Sequence, residues 1–153
     1  MHHPTAAVAA DTRRLALSAT RHCLTGCAIG EVLGMVIGTA AGFSDAATVA
    51  LAVTLAFLFG YGLTFVPLLQ GGMAAGEAFR LTLAADTISI TIMEIVDNAV
   101  MLLVPGAMDA GITDPLFLGT LAAGLAIAFV VAYPVNVWLI SRGRGHARMH
   151  PHH

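Results

Sequence analysis

Lysine is absent from this 153-residue chain, and all seven basic residues are arginine: Arg13, Arg14, Arg21, Arg80, Arg142, Arg144 and Arg148. Charged residues of both signs reach only 10%, against about 25% in an average soluble domain. That scarcity excludes an ordinary water-soluble surface. A net charge of -2 removes the basic footprint of a nucleic-acid partner. Two cysteines four apart, Cys23 and Cys27, do not make a secreted disulfide framework. No phosphate-cradling glycine loop, metalloprotease helix motif or serine-hydrolase elbow occurs, which argues against an ATP-driven pump or a membrane protease. The alternating pattern of a membrane barrel is missing too.

What the chain has is apolar length. Hydrophobic residues make up 58% and the mean hydropathy is +0.84. About 20 apolar residues cross a bilayer, and four segments are long enough: near Leu15–Gly42, Ala46–Leu69, Leu81–Val104 and Leu116–Ile140. The expected fold class is therefore all-α, a polytopic membrane protein with four transmembrane helices. Residues 1–14 read as an N-terminal tail, 15–140 as the membrane domain and 141–153 as a tail carrying His and Arg. Every arginine falls before span one, between spans two and three, or after span four, whereas the other two loops hold only acids. The positive-inside rule then places both termini in the cytoplasm. The first apolar stretch is too long for a signal peptide and lacks a secretory cleavage pattern after it.

Span one carries two stripes at helical spacing. Gly26, Gly30, Gly34, Gly38 and Gly42 form one; Cys23, Cys27, Glu31 and Met35 form the next, with His22 beside Cys23. Residues i and i+4 share a helix face. The glycine stripe suits close packing, within the chain or across a homodimer. The other stripe brings thiols and a carboxylate into a hydrocarbon setting.

Spans one and three run in the same direction, so depths compare directly. At 1.5 Å per residue, Glu31 and Glu94 each lie roughly 20 Å into their spans, and Cys23 and Asp86 roughly 10 Å. Tyr133, Pro134 and Asn136 in span four return to that shallower level. Asp97 and Asn98 fall near Glu94, and Met35 and Met101 lie further out. The methionines read as packing. Asp86, next to Thr87 and Ser89, reads equally as a helix-bonding residue or a ligand. Pro67 and Pro134 each free a carbonyl in their helices. Acids at this depth must be protonated, hydrogen-bonded or neutralised by a cation. Thiolate, imidazole and thioether together favour soft or borderline ions, Cu(I) or Zn(II). The candidate metal ligands are His22, Cys23, Cys27, Glu31, Asp86, Glu94 and Asp97. The tail histidines His2, His3, His146, His150, His152 and His153 read as a metal-capturing or merely solvated tract.

Three motifs carry a family likeness: His22-Cys23-Leu24-Thr25-Gly26-Cys27 with Gly30-Glu31; Ala85-Asp86-Thr87-Ile88-Ser89-Ile90 with Met93-Glu94-Ile95; and Tyr133-Pro134-Val135-Asn136-Val137-Trp138-Leu139-Ile140 with Gly143. Together they resemble the domain of unknown function 4396 family of small bacterial membrane proteins, over roughly Arg14 to His146. The resemblance implies several membrane spans and no particular chemistry.

Three functions fit these residues. The first is a metal-binding membrane protein that transports or delivers copper or zinc, with a path enclosed by a homodimer; proton or cation conduction through the acids is its variant. The second is a structural or assembly subunit of a larger membrane complex. The third is thiol redox chemistry, against which the helical Cys-x-x-x-Cys spacing argues, since it lies near the edge of disulfide geometry. No organic cofactor is expected, and an enzyme is the less favoured reading.

Overall fold

A computed structural model describes the backbone of residues 3–142 and side chains from residue 9 onward. It contains four helices: α1 (His3–Ala41), α2 (Asp45–Gln70), α3 (Ala75–Leu103) and α4 (Pro115–Ser141). Three of them are long and apolar enough to cross a membrane: α1 from Ala9 to Ala41, α2 and α4. The expectation of four apolar spans is thus met for three. The physical reason lies in α3 itself, which carries Glu77, Arg80, Asp86, Glu94 and Asp97. Its length is nonetheless that of a spanning helix, about 43 Å at 1.5 Å per residue.

α1 starts well before the expected span. The stretch assigned as a tail, 1–14, is helical from His3 on. It is rich in alanine and arginine, both strong helix formers, and hydropathy detects only the apolar part of such a helix. The tail histidines His2, His146, His150, His152 and His153 lie outside the described residues, as do Arg144 and Arg148. At the end of α4 the Arg142 guanidinium sits 5.0 Å from the centre of the Trp138 ring.

The turns follow from local chemistry. Gly42 and Gly72 adopt positive φ, 72° and 94°, which only glycine takes without strain. Ser44 caps α2 by accepting from the Ala47 amide at 3.2 Å. Asp114 caps α4 by accepting from the Leu116 amide at 2.8 Å, with Pro115 at the first helical position, where its missing N–H costs nothing.

α1 packs most extensively along α2. A Cβ built on Gly26, Gly30 or Gly34 would land on the backbone of Gly60, Ala56 or Ala52, and one on Gly38 would strike Thr48. From Gly26 to Gly38 the glycine stripe therefore packs within the chain, against α2. Gly42 leaves the stripe and belongs to the turn. α2 answers with its own fourfold stripe, Thr48, Ala52, Ala56, Gly60 and Thr64, its buried residues. α3 and α4 complete the bundle, with α4 also lying along α1. At one end Met35, Met101, Phe117 and Leu121 form an apolar cluster under Ala107 of the α3–α4 loop, so Met35 and Met101 are packing residues. A second cluster joins Cys23, Cys27, Ile90 and Met93 to Ala56, Ala128 and Ala132.

Candidate functional site

Inside this frame, the donor stripe of α1 faces α3. Cys23, Cys27 and Glu31 are buried, as are Asp86, Glu94 and Asp97 on α3. Two of the levels inferred from helical rise, Cys23 with Asp86 and Glu31 with Glu94, are levels at which the side chains meet; another, Cys27 with Glu94, lies between them. At the first, Cys23 Sγ donates to Asp86 Oδ1 at 3.6 Å, and Asp86 also lies against Thr64 of α2. At the second, the Cys27 thiol faces the Glu94 carboxyl group. At the third, Glu31 lies against both Glu94 and Asp97. Asn98 ties this level together: Nδ2 donates to Glu31 Oε1 at 3.3 Å, Glu94 Oε2 at 3.2 Å and the Glu94 carbonyl at 2.8 Å.

The cluster is under-satisfied. Glu31 Oε2, Glu94 Oε1, Asp86 Oδ2, Asn98 Oδ1 and both carboxylate oxygens of Asp97 are buried without a hydrogen-bond partner. An ionised acid at the middle of an apolar helix costs roughly 2.5–3.5 kcal/mol on insertion scales. Three buried carboxyl groups, with Glu31 beside both Glu94 and Asp97, cannot all carry charge without a counter-ion. The third level therefore holds protons or a cation.

α4 contributes twice. Asn136 Nδ2 donates to Thr20 Oγ1 at 2.8 Å and Ser89 Oγ at 3.1 Å, linking α1, α3 and α4 beside the Cys23 level. Gly124 abuts Asp97, and a Cβ there would strike Asp97 Oδ1. Sequence reasoning missed Gly124 and Thr64. Their one signal is the fourfold spacing of small residues on α4 and α2.

Two candidates fall outside the column. His22 is exposed, with its ring turned back on its own helix: Nδ1 lies 2.7 Å from the Ser18 carbonyl oxygen. Adjacent residues on a helix point about 100° apart, so His22 cannot share the Cys23 stripe. Tyr133 stacks on Phe129 and lines a groove beside Arg13. Both cysteines are free thiols. Among the described residues, no three of His, Cys, Asp and Glu are gathered as a ready metal-ligand set; the thiols meet carboxyl groups in pairs.

These features define a class, an all-helical protein with membrane-length apolar helices wrapped around a polar interior seam. Within that class, the family model for the domain of unknown function 4396 matches residues 12–145, and the chain belongs to that family. No curated protein and no solved structure matches it.

Proposed function

We propose that this is a polytopic inner-membrane protein that binds a soft metal ion at its thiol–carboxylate levels and moves it across the membrane against protons held by the carboxyl cluster. All four helices cross, with both termini cytoplasmic. Arginine sorting supports the orientation. The exposed flank of α3, with Ile88, Ile95 and Leu102, supports its crossing as a lipid-facing helix.

The observation that carries this reading is the pairing of each buried thiol with a carboxyl group on the facing helix. Thiolate selects soft ions. Paired donors suit Cu(I), which accepts low coordination numbers, better than Zn(II), which takes four ligands in structural sites. Cys23 with Asp86 and Cys27 with Glu94 are the two copper stations. Glu31, Glu94, Asp97 and Asn98 make an all-oxygen level, poor for Cu(I) and well suited to protons. Deprotonating a thiol to bind the metal releases a proton, and the neighbouring carboxylates are placed to take it.

The test is metal content of purified, full-length protein in which His2, His3, His146, His150, His152 and His153 are replaced by alanine. Reconstitution with Cu(I) under reducing conditions is expected to give one or two copper ions per chain. The Cys23→Ser/Cys27→Ser variant is expected to bind none. A variant that retains stoichiometric copper without its thiols overturns the reading.

A further inference from the structure

Two adjoining cavities of about 380 and 160 Å³ open between α1 and α2. Ser18, His22 and Leu63 line both. Thr64 and Pro67 line the smaller one, and Thr64, 8% exposed, is the residue that lies against Asp86 on its inner side. The cavity and the first thiol level are therefore separated by one buried threonine.

The imidazole of His22 is set up by its local bond. A backbone carbonyl can only accept, so the 2.7 Å contact with the Ser18 oxygen places the proton on Nδ1. In the neutral ring it is then Nε2 that carries the lone pair. Metal-ligating histidines characteristically donate their second ring nitrogen in this way, which fixes the tautomer and raises the basicity of the other. Pro67 adds to the polarity of the same wall: it offers no N–H to the Leu63 carbonyl. Arg21 lines only the larger cavity, so the smaller one gives a cation a path to Thr64 lined by no arginine.

We propose that His22 is the capture ligand of this protein, taking a soft metal ion at Nε2 in the α1–α2 cavity and passing it by ligand exchange, past Thr64, to Cys23 and Asp86. The inference rests on the copper reading of the column. It adds that His22 is a transient ligand outside the resident site. The exchange is redox-neutral: the bond to Nε2 breaks as one forms to Cys23 Sγ, and the thiol proton passes by way of Asp86, which already accepts from it, to the freed Nε2, leaving the Asp86 carboxylate to the metal.

The experiment is the rate of Cu(I) transfer from a chromophoric bicinchoninate complex to full-length protein carrying the tail-histidine substitutions. His22→Gln is expected to keep the wild-type copper stoichiometry while loading falls by ten-fold or more. His22→Cys, a soft ligand at the same position, is expected to restore the rate. Unchanged loading in His22→Gln overturns the proposal, as does equal slowing in both variants, which marks a structural role. Loss of stoichiometry in His22→Gln also overturns it, because His22 is then a resident ligand. A parent protein that takes up no copper removes the reading of the column itself.

Discussion

Helix α1 presents two neighbouring faces that are built on opposite principles. Its glycine face meets α2 backbone to backbone, with no room for a Cβ at Gly26, Gly30 or Gly34. Its donor face meets α3 more sparsely than any other adjoining pair of helices meets, and side chains fill the interval. The first seam is made of small residues. The second holds two thiols, four carboxyl groups and an asparagine. Close packing in a membrane depends on small residues, because lipid tails are as apolar as leucine. The tight seam fixes the position of α1 so that the loose seam can hold polar groups at defined distances.

The largest way to break that contrast is to fill the tight seam. Gly30→Leu drives a side chain into the Ala56 backbone, where nothing can rotate aside. Overpacking costs about 1–3 kcal/mol where neighbours can yield, and here the cost is expected to exceed that range. Thermal unfolding in detergent is the measurement, and a variant as stable as the parent shows that α1 and α2 do not pack this way.

The next effect concerns α3, whose polar face turns inward while Ile95 is 65% exposed. If α3 crosses the membrane, Ile95→Lys puts a charge into lipid at a cost of roughly 2.5–3.5 kcal/mol, whereas Ile95→Ala is nearly silent. Folded yield in membranes distinguishes the two. Equal yield from Ile95→Lys and Ile95→Ala places that flank in water and removes the fourth span.

The two seams were not equally legible in the sequence. The glycine stripe and the thiol stripe follow from fourfold spacing, and equal helical rise paired Cys23 with Asp86 and Glu31 with Glu94. Both inferences need only distance along a helix. Rotation about the axis was harder to read. α4 is apolar nearly all round, so periodicity did not say that Gly124 faces Asp97 or that Tyr133 turns away. His22 was grouped with Cys23 because they adjoin in sequence, although helix geometry separates them. The polar start of α1 was read as a tail because hydropathy is blind to helices of alanine and arginine. Length places α3 among the spans, but its four acids, Glu77, Asp86, Glu94 and Asp97, keep it below the apolar content of the others.

The smallest expected effect is the most specific to the loose seam, and its sign carries the information. Asp97 is 1% exposed and has no partner for either oxygen, yet lies against Glu31. Asp97→Asn removes one acid from the cluster and supplies an N–H donor towards Glu31 Oε2, which lacks a partner. A hydrogen bond to a charged group contributes about 1.5–3 kcal/mol. The metal-free variant is therefore expected to be more stable than the parent by up to that amount, while proton-coupled copper movement in vesicles is lost. A less stable Asp97→Asn protein shows that Asp97 already holds a cation at rest, and the exchange of protons for copper must then be assigned to Glu31 and Glu94 alone.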